Sequence, residues 1–135
     1  MNIERFEDLQ AWQEARKLVS RIYQITRGAV FRDDWDLVRQ MRRAAVSIMA
    51  NVAEGFSRYS FKETKQLFIV ARASLAELRS HVYVALDQKY IKEQEAGELQ
   101  EQMAKAGRLV TGLIQNSQRR LDVSATDRGH ALYFL

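Results

Sequence analysis

Apolar and very small residues recur at helical spacing on more than one side of the segment from Gln40 to Ser60. At 100° per residue, one broad arc of this second helix is apolar and predicts a bundle core. The arc contains Leu37, Met41, Ala44, Ala45, Ile48, Val52 and Phe56. The opposite side begins with Arg39 and Arg43 and continues with Val46, Ser47, Ala50 and Ala53. Such small and apolar residues are unusual on a solvated face, so we expect a second helix to pack there.

The third helix has the same two-sided pattern. Its core arc contains Thr64, Leu67, Ala71, Leu75, Leu78, Val82 and Leu86. On its far side Ile69, Ala76 and Tyr83 recur every seven residues, with Ala73 and Ser80 beside them. A monomeric bundle needs one apolar face per helix, so the outer stripes predict a homo-oligomer. The predicted interface residues are Val46, Ala50, Ala53, Ile69, Ala76 and Tyr83.

The whole chain has no proline and six glycines in 135 residues, so few residues interrupt a helix. We predict an all-α, single-domain, antiparallel up-down-up-down four-helix bundle over residues 1–121, with helices at about 7–27, 34–55, 61–89 and 93–120. The inner seam of the first helix is predicted to be Trp12, Ala15, Val19, Ile22 and Thr26. That of the fourth is predicted to be Leu99, Met103, Ala106, Val110, Leu113 and Ser117.

Helix ends are marked by a few residues. Gly28 predicts a left-handed cap that ends the first helix, and Asp33 or Asp34 predicts the N-cap of the second. Ser60 followed by Glu63 predicts a capping box at the start of the third helix. The tail, residues 122–135, is polar and then apolar, and we expect it to dock through its last four residues: Leu132, Tyr133, Phe134 and Leu135.

Three stretches of the chain resemble a known family: FEDLQAWQEA, QMRRAAVSIMANVAEGFSR, and LFIVARASLAELRSHV followed by KYI. The chain resembles the bacterial four-helix-bundle 23S ribosomal RNA intervening-sequence proteins over roughly Phe6 to Leu121. The middle stretch is long and specific. Two positions depart from the family pattern, which usually has proline where this chain has Met49 and commonly an acidic residue where it has Arg79.

The resemblance also implies an assembly. The accessory proteins of diversity-generating retroelements resemble the same fold group, form rings of five and serve a reverse transcriptase. By resemblance this chain is expected to form a pentamer, whereas the expectation that its second and third helices close the ring comes from their outer apolar stripes. No biochemical activity is established for the family as a whole, so the resemblance supplies no reaction.

The composition excludes several kinds of chemistry. There is no cysteine, and the two histidines, His81 and His130, form no Glu-x-x-His pair, so we expect no metal site and no cofactor. Gly107 and Gly112 lie within a helical pattern and lack the strand and lysine of a phosphate-binding loop. No catalytic constellation is found, and we expect a protein that is not an enzyme. No signal peptide or membrane span is evident, so we expect a cytoplasmic protein without a membrane partner.

Charge is the remaining functional signal. The chain carries a formal net charge of +4, and the segment from Leu9 to Leu86 contains thirteen Lys or Arg and only seven Asp or Glu. The candidate nucleic-acid-binding residues are Arg16, Lys17, Arg21 and Arg27 on the first helix, and Arg39, Arg42, Arg43 and Arg58 in the second group. An ordinary solvated face competes with this interpretation. So does ion pairing: Glu54 and Arg58 are four apart, and Arg43 could pair with Glu54 or Glu77.

Three classes of function therefore stay open. The first is a non-catalytic homo-oligomer that associates with RNA or DNA. The second is an oligomeric adaptor for a protein partner such as a reverse transcriptase. The third, an enzyme, has no residues to support it. Neither the charge pattern nor the resemblance identifies an RNA target.

Overall fold

The computed structural model describes the backbone of residues 3–133 and the side chains of residues 3–127. It contains four long helices: α1 (Gln10–Thr26), α2 (Trp35–Phe56), α3 (Phe61–Asp87) and α4 (Glu93–Tyr133). Two single-turn 3-10 helices, Phe6–Asp8 and Ala29–Phe31, precede α1 and α2. The backbone from residue 3 to residue 133 contains no strand. The all-α four-helix class predicted from the sequence is confirmed.

The first helix begins and ends differently from the prediction. Leu9, in an extended conformation, separates the 3-10 turn Phe6–Asp8 from α1. At the other end the predicted left-handed cap is wrong: Gly28 has φ −60° and ψ 148°, which is extended backbone. Arg27 ends α1 in a helical conformation, and the chain reverses through the 3-10 turn Ala29–Phe31. A turn of this kind needs no left-handed residue.

The left-handed residue lies instead after α3. Lys89 has φ 63°, its N–H donates to the carbonyl of Leu86, and the N–H of Tyr90 donates to the carbonyl of Ala85. This pair of bonds is a Schellman motif, built here on lysine where glycine is usual. It ends α3 at Asp87, two residues earlier than predicted.

The predicted N-cap residues of α2 and α3 are confirmed, but of the capping box predicted at Ser60 and Glu63 only the bond to the Ser60 side chain is formed. The Asp34 carboxylate accepts from the N–H of Leu37 at 3.2 Å, and the Ser60 hydroxyl accepts from the N–H of Glu63 at 3.4 Å. Each cap satisfies one backbone donor that the first helical turn leaves open. The two caps place the start of α2 at Trp35 and the start of α3 at Phe61.

Each helix contacts its sequence neighbours, and α1 also contacts α4. Between α2 and α3 the hydroxyls of Ser47 and Ser74 lie 2.8 Å apart, and Thr64 Oγ1 donates to the carbonyl of Gly55 at 2.8 Å. These two contacts show that α2 and α3 are antiparallel. Gly55 permits close approach, because a Cβ there would lie 2.7 Å from a ring carbon of Phe68.

The core forms two clusters along the bundle. The larger lies towards the α1–α2 and α3–α4 connections, and its fully buried side chains include Leu18, Ile22, Met41, Ile48, Leu78, Val82, Leu99 and Met103. The smaller joins the start of α1 to the end of α2, and it contains Leu9, Trp12, Val52, Phe68, Ala71, Val110 and Ile114. Met49 packs against both clusters. Most of the predicted α2 arc is buried, with Phe56 half-buried.

Some predicted seam positions are displaced by one residue. On α3 Phe68 and Ala85 are buried, whereas Leu67 and Leu86 are half-buried, as is Thr64. The seams of α1 and α4 shift in the same way: Leu18 and Ile114 are buried, whereas the predicted Val19 and Leu113 are half-buried. Where two consecutive residues are both apolar, the sequence pattern does not show which of them points into the core and which lies at its edge, between two helices.

The fourth helix is longer than predicted. It does not end near Arg120 but continues to Tyr133. The guanidinium of Arg120 lies over the ring of Phe61, the first residue of α3, so α4 extends beyond that end of α3 by about three and a half turns. The predicted docking of the tail through Leu132, Tyr133, Phe134 and Leu135 lies outside the described side chains.

Candidate nucleic-acid interface

The basic stripe on α1 faces an acidic segment of α4. Arg21 Nη2 lies 3.7 Å from Glu95 Oε2 and 3.6 Å from Glu98 Oε2. Lys17 Nζ lies 3.3 Å from Glu14 Oε1. The exposed Arg16 lies over the ring of Trp12, 5.6 Å from its centre, and takes part in no ion pair within residues 3–127. We call this surface the α1–α4 groove; carboxylates neutralise much of its positive charge.

Glu14 is the central acid of this groove, and its side chain is only 12% exposed. Its second lysine partner is Lys105 of α4, at 3.2 Å. Burial raises the pKa of the Glu14 carboxyl. The hydrogen bonds from Lys105 and Lys17 and the two positive charges together outweigh burial, so the pKa lies below its ordinary value of 4.5. Glu14 therefore stays ionised and links α1 to α4.

Three arginines line a second groove, where α1 passes into α2. This arginine groove, of about 180 Å³, is lined by Arg27, Arg32 and Arg42 together with Thr26, Phe31, Trp35 and Val38. No residue that lines it carries a carboxylate. Within residues 3–127 none of the three arginines takes part in an ion pair. The sequence had assigned Arg27 and Arg42 to separate groups, and the fold brings them together.

Arg42 is held in place within this groove. Its Nε donates to the Thr26 hydroxyl at 2.9 Å, and its guanidinium lies over the ring of Tyr23, 4.5 Å from the centre. Thr26 in turn donates to the carbonyl of Ile22 at 2.7 Å. The contacts to Thr26 and Tyr23 occupy Nε and one face of the guanidinium. The two terminal nitrogens therefore keep the geometry that binds an oxyanion in a bidentate way.

Three aspartates lie near the arginine groove but do not line it. Asp34 accepts from the Leu37 N–H, and it also accepts from the Tyr90 hydroxyl at 3.0 Å. The bond to Asp34, burial, and the charges of Asp34 and Asp33 raise the pKa of Tyr90. Asp36 lies 3.8 Å from Arg39. Asp33 is exposed. Two of the three carboxylates are thus engaged elsewhere.

The remaining predicted arginines are dispersed. Arg43 and Arg58 are exposed, and neither takes part in an ion pair among the described side chains. The pairings considered from the sequence, Arg43 with Glu54 or Glu77 and Arg58 with Glu54, are therefore not formed within this chain. Glu77 is instead 3.3 Å from the half-buried His81.

Two features of the surface were missed by the sequence analysis. Trp35 is 70% exposed at the first position of α2, beside the arginine groove. Arg72, Arg79 and Arg108 line a groove of about 500 Å³ between α3 and α4 that no carboxylate lines. Lys65, Arg72 and Arg79 recur every seven residues, which was a usable signal. We call the surface lined by Arg72, Arg79 and Arg108 the α3–α4 groove.

The predicted oligomer residues fall into two sets. Val46, Ala50, Ala76 and Tyr83 are exposed, with Val46 at 41% and Tyr83 at 53%. Ala53 and Ile69 are half-buried and pack against the smaller core cluster. Ser47, also assigned to the outer side, faces α3 through its bond to Ser74. The outer apolar stripe is therefore narrower than the sequence predicts.

No group of three or more potential metal ligands comes together within the described residues. Of the helices in the described part, none is long and apolar enough to cross a bilayer.

A family model described as "23S rRNA-intervening sequence protein" matches residues 7–112. The matched region contains α1, α2, α3 and the first half of α4, with both α1 grooves. The chain belongs to this family. The resemblance inferred from its sequence motifs is confirmed.

A solved structure is similar to the fold. A crystal structure of a protein of unknown function from the S23 ribosomal protein family of Bacteroides thetaiotaomicron superposes with a TM-score of 0.73 at 16% identity. The match covers 78% of this chain and 95% of that protein. At this identity the likeness concerns the fold alone. A comparison with curated proteins found no match.

The two departures from the family pattern have visible places. Met49 lies within α2, which continues through it to Phe56. Arg79 Nε donates to Gln100 Oε1 at 3.3 Å, across the α3–α4 boundary. Arg79 therefore adds a positive charge to the α3–α4 groove, where an acidic residue at the same position would bring a negative one.

Proposed function

We propose that this member of the intervening-sequence family is a non-catalytic homo-oligomer that binds RNA or DNA through the arginine groove. The observation that carries the proposal is the convergence of Arg27, Arg32 and Arg42 on one groove that no carboxylate lines. A guanidinium fork binds the oxygens of a phosphate in a bidentate way, as it binds those of a carboxylate. A polymer of phosphates also suits a chain whose formal charge is +4.

The held position of Arg42 supports a specific phosphate contact over a diffuse one. Fixing a flexible arginine on a ligand costs roughly 0.5–1.5 kcal/mol of side-chain entropy. The contacts to Thr26 and Tyr23 already restrict Arg42 in the free protein. Arg27 and Arg32 are exposed and add charge at the edge of the same groove.

The test is binding of a labelled structured RNA and of a DNA of equal length at about 50 and 200 mM salt. Each phosphate contact releases counterions, so we expect affinity to fall by roughly one to three orders of magnitude between these concentrations. No binding at the lower salt, or binding that does not depend on salt, would end the proposal.

The homo-oligomer part of the proposal is supported by the exposed apolar stripe on α2 and α3. Val46 and Ala50 lie on α2, Ala76 and Tyr83 on α3, and none of the four is covered within the chain. If one patch of a subunit meets a different patch of the next, the contact is heterologous and gives a ring when its rotation closes; the family resemblance suggests five subunits. Several nearby subunits would also multiply phosphate contacts along one strand.

Ala50→Glu tests the assembly, because it places a charge where the proposal needs a buried methyl group. We expect light scattering to give the mass of an oligomer for the unmutated protein and of a monomer for the variant, and circular dichroism to show that the variant stays helical. Ala125→Glu is the matched control, since Ala125 is an exposed alanine on the part of α4 that continues beyond Arg120. A monomeric unmutated protein at micromolar concentration, or a normally assembled Ala50→Glu variant, would contradict this part.

An adaptor for a protein partner is the second candidate, and the α3–α4 groove favours it. Leu75 and Met103 are buried at its base, and Arg72, Arg79 and Arg108 are exposed along its edges. A Cβ at Gly107 would lie 3.2 Å from Leu75 Cδ2, so the two helices approach closely there. An apolar floor between arginines suits an amphipathic helix with acidic edges.

This second candidate predicts that a synthetic acidic amphipathic helix binds the protein. The double variant Arg72→Glu, Arg108→Glu should then lose the peptide, whereas Arg27→Glu, Arg32→Glu should retain it. Equal loss in both variants would show a general effect of net charge and would remove the support for the adaptor function.

A further inference from the structure

The arginine groove contains one feature that phosphate binding does not explain. Trp35 is 70% exposed, in contrast to Trp12, which is 9% exposed and packs in the smaller core cluster. Single exposed apolar side chains are common on protein surfaces, so the exposure of Trp35 matters here only because of its neighbours. Both Trp35 and the three arginines line the same groove.

We infer that the arginine groove binds single-stranded nucleic acid, with one base stacked on Trp35 and the neighbouring phosphates held by Arg27, Arg32 and Arg42. The inference rests on the proposed function and adds the kind of strand and the role of the tryptophan. Base stacking on aromatic side chains combined with a basic groove is how proteins bind single strands without sequence preference. In a duplex the bases are stacked on each other, so only an unpaired base can reach the ring.

The size and composition of the groove agree with this ligand. A groove of about 180 Å³ holds a single ring system rather than a helix. Phe31, which is 2% exposed, and Val38, which is 6% exposed, form an apolar floor of the groove. The positive groups lie around that apolar floor. Of the three nearby carboxylates, Asp34 accepts from Tyr90, Asp36 lies beside Arg39 and Asp33 is exposed. A base with its phosphate has this arrangement of an apolar ring beside a charged group.

The position of Trp35 on α2 fixes its geometry relative to Arg42. Trp35 and Arg42 lie seven residues apart, about two turns along the same face of α2, or roughly 10 Å along its axis. Arg27 and Arg32 line the same groove as Trp35, so three guanidinium groups are available at this site. A base on Trp35 would therefore leave an adjacent phosphate within reach of the arginines.

The experiment compares a short single-stranded RNA with a duplex of the same length, using tryptophan emission and labelled-strand affinity together. We expect the single strand to quench the emission and to bind at least tenfold more tightly than the duplex. Trp35→Ala should remove the quenching and weaken single-strand binding roughly tenfold, while duplex binding changes little. Trp35→Phe should recover most of the affinity.

Tyr59→Ala is the control, because Tyr59 is a fully exposed aromatic residue in the α2–α3 connection. It should bind both strands as the unmutated protein does. A Trp35→Ala variant that binds the single strand normally would overturn the inference while leaving the proposed function in place. So would a changed oligomeric state of that variant by light scattering, since a second copy would then cover the ring. No binding of either strand would overturn both.

Discussion

The α1–α4 groove and the arginine groove use the same helix α1 and differ in the helix that faces it. In the α1–α4 groove, Arg21 meets Glu95 and Glu98, and both Lys17 and Lys105 meet Glu14. In the arginine groove, Arg27 meets α2 and the turn before it, which bring Arg32 and Arg42. Whether the cations of one helix keep their positive charge therefore depends on the helix that faces them. The opposite helix either neutralises these cations or adds to them.

The sharpest test of this contrast is a pair of matched triple variants. Replacing Arg27, Arg32 and Arg42 with alanine should weaken nucleic-acid binding by about a hundredfold at low salt and lower the salt slope by up to about three. Replacing Arg16, Lys17 and Arg21 with alanine should weaken it less than about threefold, because two of those cations already have carboxylate partners.

Circular dichroism and denaturant unfolding show whether both triple variants fold. Equal losses of affinity in the two would mean that overall charge, not the groove, decides binding. A larger loss in the α1–α4 triple would reverse the assignment.

A second prediction concerns the carboxylate that joins the two sides of the α1–α4 groove. Glu14→Gln should lower the free energy of unfolding by about 1 kcal/mol at pH 7, because two lysines lose their ionised partner. The folded-state pKa of Glu14 is below 4.5, so its contribution is present above pH 4.5. It is lost as the pH falls through the folded-state pKa.

Urea unfolding at pH 7 and at about pH 3 checks this sign. The stability gap between the unmutated protein and Glu14→Gln should shrink at the lower pH. A gap that stays constant or widens would show that Glu14 contributes through packing and not through its charge.

The smallest predicted effect comes from freeing a neutralised cation. The double variant Glu95→Gln, Glu98→Gln leaves Arg21 without its partners and should raise nucleic-acid affinity two- to fivefold at low salt. Glu93→Gln, Glu101→Gln is the matched control, since it removes the same charge from the same helix at two exposed positions. An equal gain in the control would trace the effect to net charge alone.

Sequence signals were reliable where the physical cause is local. Asp34 and Ser60 cap their helices through bonds that span three residues, so the sequence contains both partners. The four helices and most of the α2 core arc follow from periodicity in the same way. The left-handed cap failed at Gly28 because a 3-10 turn reverses the chain there, whereas the Schellman motif occurs at Lys89.

The candidate site was harder to predict because it depends on which helices meet. Nothing within α1 shows that Arg21 lies beside Glu95, or that Arg27 and Arg42 share a groove. Trp35 was overlooked because it follows an N-cap and precedes the apolar arc, a position that periodicity does not evaluate. The exposed fraction of a side chain is a tertiary property.

The close fit of Gly55 against Phe68 has a consequence for how fast the chain folds. Helices α2 and α3 are joined by only four residues, 57–60, and the bond from Thr64 to the carbonyl of Gly55 closes the hairpin across nine positions. Contacts between segments so near in sequence cost little loop entropy and form early. We expect the α2–α3 hairpin to be the folding nucleus, with φ-values at Ile48 and Leu75 well above those at Trp12 and Ile114. The hairpin that carries the proposed ring contact would then form before the chain acquires the α1–α4 groove or the arginine groove.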